Sequence, residues 1–204
     1  MTGIKGRVRD EEAQEDAPTP QKAKQWRRPS FRQEAKGGTV YGNAVHSVMQ
    51  FIRYEACTDM NGVSAELDRL TAAGYLREEQ REMVQPQTIA LFFDTEVGRK
   101  LRGGVPYIRE FKFSILDDGE KYGDGLAGEQ VLLQGVVDCA LLEEDGITVL
   151  DFKTDHVSEE TLFDTVSRYQ TQVDAYADAL TRIFEKPVKG KYLYFFHLNR
   201  LVAV

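Results

Sequence analysis

Hydrophobic positions follow two regimes along the chain. From Gly42 to about residue 101 they recur at helical spacing. Val45, Met49, Ile52 and Ala56 form a stripe that predicts a helix beginning near Gly42. Residues 64–73 predict a second, short helix with Gly74 as its stop. Residues 78–101 predict helix broken at Pro86 and at Gly98, ending at Gly103-Gly104.

From Tyr107 the period becomes two. Phe111, Phe113 and Ile115 alternate with Glu110, Lys112 and Ser114, which predicts a strand with one buried face. A Gly-rich loop over 117–128 precedes two apolar runs, 131–142 and 147–153. Asp145-Gly146 between them predicts a hairpin with those two residues as its loop. A long amphipathic helix is expected from Ser158, which would cap it, to about Glu185, and then a last strand over 191–198. Helices, three strands, a helix and a strand make an α/β domain: a small mixed sheet flanked by helices.

Composition changes this picture little. Of 204 residues, 42% are hydrophobic and 29% charged, ordinary values for a globular chain able to bury a core. No apolar run approaches the roughly 20 residues of a membrane helix, and MTGIKGRVRDEE does not read as a secretory leader. Two cysteines, Cys57 and Cys139, supply neither a disulfide scaffold nor a metal-cluster spacing, and a reducing, cytoplasmic setting fits.

Charge changes it more. The net of −7 argues against a protein that coats nucleic acid, yet residues 1–38 carry nine basic and six acidic side chains. Residues 21–36 concentrate six of the basic ones around Trp26 and Phe31. Residues 1–38 therefore read as a linker or arm, and 39–204 as the domain proper. The basic strip fits a solvated tether and also a contact with a polyanion.

The candidate chemistry lies in the hairpin. With Asp145-Gly146 as loop, Asp138 would face Lys153 and Ala140 would face Asp151. Asp138, Asp151 and Lys153 would then share one sheet face, with Val137, Cys139, Leu141, Leu150 and Phe152 on the other. Converging carboxylates call for a hard divalent cation between them. A lysine beside such a cation suits an anionic substrate or a water to be oriented, which are the needs of phosphodiester hydrolysis. The triplet alone reads first as a surface ion pair between Asp138 and Lys153. Glu110 lies on the polar face of the preceding strand. His46 stands one position beyond the apolar stripe, where a helical histidine is more often packed or solvated than a ligand. Gln172 and Tyr176 share a face of the long helix, as ordinary surface residues or as a rail for a substrate backbone.

In order, Gly42-Asn43-Ala44-Val45-His46, Glu110, Gly135-Val136-Val137-Asp138, Asp151-Phe152-Lys153-Thr154 and Gln172-Val173-Asp174-Ala175-Tyr176 resemble the motifs of the RecB-type branch of the PD-(D/E)XK nucleases. FRQEAK, TVYGNAVHSVMQ and VLDFKTDHV look, more narrowly, like the nuclease domain that ends the A-type subunits of AddAB helicase–nucleases. The resemblance implies a restriction-endonuclease-like core. It implies His46, Asp138, Asp151 and the Phe152 carbonyl as metal ligands, Lys153 as the catalytic lysine, and Glu110 acting through the metal or its waters. Gln172 and Tyr176 would position DNA. The cofactor implied is Mg2+, with Mn2+ able to substitute. Two cysteines cannot hold the iron–sulfur cluster of the B-type relatives. No G-x-x-x-x-G-K-[ST] occurs, so ATP would act only through a helicase part not in this sequence, out of which the residues before Gly42 would lead.

The implied function is exonucleolytic cutting of a single strand unwound from a duplex end, the 3′-terminated one, during double-strand break repair by homologous recombination. DNA and a B-type subunit would be its partners, in the bacterial cytoplasm and away from membranes. The alternatives are a freestanding endo- or exonuclease on the same core and a non-catalytic assembly module.

Overall fold

The computed structural model describes residues 40–204; the arm and its basic strip lie outside the described residues. The described residues open with five α-helices: α1 (Val40–Phe51), α2 (Met60–Ala72), α3 (Glu78–Met83), α4 (Pro86–Phe93) and α5 (Glu96–Arg102). Strands β1 (Tyr107–Asp118), β2 (Gln130–Glu143) and β3 (Gly146–Lys153) follow, then α6 (Leu162–Phe184), β4 (Val188–Phe195) and β5 (Arg200–Ala203). The sheet order is β1-β2-β3-β4-β5, antiparallel except between β3 and β4, which α6 connects in parallel. The expected mixed sheet flanked by helices is therefore present, with one strand more than the sequence pattern gave.

β3 is central and all eight of its residues are buried. One face of the sheet, through Cys139, Leu141, Leu150, Phe152 and Tyr194, packs against α1, α2, α4 and α5. The other, through Val137, Ala140, Ile147, Val149, Leu193 and Phe195, packs against α6. Aromatic edges interlock beneath the first layer, with Phe92 5.4 Å from Phe152 and 5.0 Å from Tyr194 between ring centroids.

Several boundaries differ from the sequence pattern, each for a local reason. The break between α4 and α5 falls at Asp94-Thr95, where Thr95 caps α5 by accepting a hydrogen bond from Gly98 N at 3.0 Å. Gly98 is thus inside α5, and Pro86 starts α4 as its first residue. Ser158 does not cap α6. Its hydroxyl turns to Thr161 in a preceding turn, and the helix begins at Leu162. The strand expected over 191–198 is β4 and ends at Phe195, and a turn with Asn199 at φ +50° leads into β5.

The hairpin loop is Glu144-Asp145, because Glu143 pairs with Gly146 and Cys139 with Leu150. Gly146 belongs to β3. Its φ is +155°, a Cβ there would lie 2.8 Å from the Pro187 carbonyl oxygen, and Ile147 N donates to that same oxygen at 2.8 Å. Lys189 bridges Glu143 and Asp145 across the turn. Asp138 therefore does not face Lys153, nor Ala140 Asp151. Each partner moves by two residues, and a register shift of two by itself moves no side chain to the other face.

One buried ion cluster stabilises the helical layer. Glu66 on α2, 2% exposed, accepts hydrogen bonds from Arg69 at 2.7 Å, from the Arg53 guanidinium at 2.5 Å and from the Arg53 backbone N–H at 2.9 Å. Burial alone would raise its pKa; the bonds from the two arginines outweigh that and bring it down to about 2. A depressed carboxylate stabilises the fold above its unfolded pKa of about 4.3 and ceases to do so as pH falls toward 2. Urea unfolding should show the native chain losing about 2 kcal/mol more than Glu66→Gln between about pH 5 and pH 2, since solvent screens part of the arginine charge. Equal losses in both proteins would remove this role from Glu66.

Candidate active site

The alternation of β1 and β2 slips by one residue at Glu110 and Asp138. Arg109 pairs with Cys139 and Phe111 with Val137, yet Cys139 packs in the α1 layer and Val137 in the α6 layer. Val137 is therefore not on the face shared by Cys139 and Leu141, contrary to strict alternation. Glu110 takes a left-handed backbone, φ +48°, at the slip. The β2–β3 pairing also begins only at Cys139, although β3 runs on beside β4 to Lys153. The sheet splits at this point, β2 leaving with β1 and β3 staying with β4. Two carboxylates from the first pair of strands meet a carboxylate and a lysine from the second.

His46, Glu110 and Asp138 come together there, with one ligand atom from each lying within 4.8 Å of the others. His46 Nδ1 is 3.6 Å from Asp138 Oδ2, and that same oxygen accepts the Phe152 backbone N–H at 2.8 Å. On the α6 side, Lys153 Nζ stands 2.7 Å from Asp151 Oδ2 and donates to Gln172 Oε1 at 3.0 Å. Gln172 Nε2 donates to the Tyr176 hydroxyl at 2.6 Å. Tyr176 is buried, its ring edge-on to Phe113 at 5.9 Å. The structure thus gathers His46, Glu110 and Asp138 in one group, and Asp151, Lys153, Gln172 and Tyr176 in a chain beside it.

The electrostatics ask for a cation. Burial and the Asp151 charge push the Asp138 carboxyl well above the usual carboxylate range. Burial likewise raises Glu110, and it lowers His46, which keeps that imidazole neutral and able to ligate. Asp151 Oδ2 is buried and has no hydrogen bond: Lys153 neutralises it across 2.7 Å, but outside hydrogen-bonding angles. An orphaned buried carboxylate oxygen beside an imidazole and two crowded acids suits a divalent cation with mixed nitrogen and oxygen ligands.

Sequence reasoning passed over two side chains. Arg109 hydrogen-bonds the Met49 and Ile52 carbonyls at 3.2 and 2.7 Å and lies over the rings of Tyr54 and Tyr107, tying the end of α1, and with it His46, to the strand that carries Glu110. Tyr169 covers the Lys153 ammonium with its ring at 3.6 Å. Its spacing from Gln172 and Tyr176 on one helical face was the signal that could have found it.

A domain in which a split sheet presents these acids and a lysine has the architecture of a nuclease, and residues 20–202 match the PD-(D/E)XK nuclease superfamily. The chain belongs to that superfamily, whose members use divalent metal ions, and its enzymatic class is that of a deoxyribonuclease. It is similar to the A-type ATP-dependent helicase/nuclease protein of Bacillus licheniformis, 41% identical over 187 residues, which is 86% of this chain. The proteins of the same name from Bacillus mycoides and Bacillus cereus are 35% and 34% identical over 87% of it. The chain spans about 15% of the length of these relatives. Among the described residues, no helix is long and apolar enough to cross a membrane.

Proposed function

We propose that residues 39–204 are the nuclease domain of a helicase–nuclease, entered through residues 1–38. In this reading it hydrolyses the unwound, 3′-terminated DNA strand with Mg2+ in the processing of double-strand breaks, in the cytoplasm and in complex with a B-type subunit. The convergence of His46, Glu110 and Asp138 with the Asp151–Lys153 pair at the split in the sheet carries the reading. The name shared by the relatives supports the helicase setting.

His46, Asp138, Asp151 and the Phe152 carbonyl would hold the cation, with Glu110 beside them. Bound there, it would polarise the phosphoryl group and acidify the attacking water. Lys153 orients that water and offsets the charge building on the phosphoryl oxygens. Gln172 fixes the lysine, Tyr176 supports Gln172, and together they border the path of the strand.

The test is cleavage of end-labelled linear and closed circular single-stranded DNA by the 204-residue chain. Linear DNA should shorten from its 3′ end with Mg2+ and not with chelator, and circles should survive. Cut circles would point to an endonuclease. Uncut linear DNA across a series of divalent ions would point to an assembly module.

A further inference from the structure

The ammonium of Lys153 is held from two sides. Asp151, two residues earlier on the same face of β3, holds it in ion-pair contact, Nζ to Oδ2 2.7 Å, outside hydrogen-bonding angles. Two groups on α6 hold it from the other side. One is the Gln172 side-chain carbonyl at 3.0 Å; the other is the face of Tyr169, whose centroid is 3.6 Å from Nζ. The electron-rich face of an aromatic ring attracts an ammonium without forming an ion pair with it or consuming an acceptor that a substrate water could use. The ring is itself held, because the Tyr169 hydroxyl donates to Asp155 Oδ2 at 3.0 Å on the segment that leaves β3. Lys153 is almost wholly buried, so the contact is largely screened from water.

We infer that Tyr169 is a positioning residue for the catalytic lysine: its ring face, with the Gln172 carbonyl, fixes where the Lys153 ammonium stands while Nζ remains in ion-pair contact with Asp151. The inference rests on the nuclease reading of the site, so its test has one readout that needs no catalysis.

With lysine side chains labelled with 13C, the Lys153 Cε protons should resonate upfield of the other lysines through the ring current of Tyr169. The shift should persist in Tyr169→Phe and vanish in Tyr169→Leu. An unshifted Lys153 in the native chain would overturn the inference whatever the enzyme does. In cleavage assays, Tyr169→Leu should lower kcat about tenfold to thirtyfold while KM changes less than about threefold. Tyr169→Phe should stay within about threefold of the native rate, since it keeps the ring face. Native kcat in Tyr169→Leu, or equal losses in both variants, would also overturn it. The nuclease reading fails separately, if Lys153→Ala cuts as well as the native chain.

Discussion

Asp138→Asn is expected to abolish metal-dependent cleavage, by a factor of about a thousand or more, while leaving the fold at least as stable as before in chelator. The two halves of this expectation have one cause. Asp138 is half-buried, accepts one backbone N–H and lies among Asp151, Glu110 and His46. Without a cation its charge is costly, both from lost hydration and from repulsion by Asp151. Asparagine keeps an acceptor for Phe152 N–H and removes the charge, so the variant should gain about 1 kcal/mol in chelator. It should also lose most of the stabilisation that Mg2+ or Mn2+ gives the native chain, because a cation that binds only the folded state stabilises it in proportion to its affinity. Thermal unfolding with and without metal reads the second half, and DNA cleavage the first. Cleavage within tenfold of native, or metal stabilisation equal to native, would remove Asp138 from the metal site.

That outcome bears on how much of the site could be seen in the sequence. The pairing inferred from Asp145-Gly146 is one residue out on the loop, yet Asp138, Asp151 and Lys153 still come near one another, since a shift of two preserves faces. Alternation could not show where the faces exchange. Val137 and Cys139 are equally apolar, and nothing local marks the slip at Glu110, a left-handed residue with an ordinary side chain. His46 became a candidate only through the motif order, because α1 approaches β2 through tertiary packing that no helical period encodes. Tyr169 was hidden for a related reason: it reads as one more amphipathic position until β3 is laid against α6. The acidic net charge fits this site, since a nuclease must gather carboxylates where a cation will bind, and the metal reverses the local sign.

Gly98→Ala is expected to produce the largest loss of stability of any single methyl added to the helical layer. Gly98 suggests a break in helix when read along the sequence, but its place in α5 shows a contact. A Cβ there would lie 2.1 Å from the Phe92 carbonyl oxygen and 2.7 Å from the Phe93 Cα, both backbone atoms that no rotamer can clear. The Phe92 carbonyl cannot retreat easily, because Thr95 holds it through its backbone N–H at 3.0 Å and its hydroxyl at 2.7 Å. Relief requires α4 and α5 to part, and Phe92 is the ring that packs against Phe152 and Tyr194 beneath the site. A cost of about 3 kcal/mol follows, with a fall in Tm on the order of 10 °C for a domain of this size. Gly103→Ala, at the end of the same helix, supplies the control. Its nearest neighbour is the Arg99 carbonyl oxygen at 3.2 Å, so it should cost less than about 1 kcal/mol. Equal melting of the two variants would mean that the α4–α5 approach is loose. If the approach is as tight as these distances make it, cleavage by Gly98→Ala should fall only in proportion to the unfolded fraction, with KM unchanged. The α4–α5 pair would then support the chemistry through Phe152 without taking part in it.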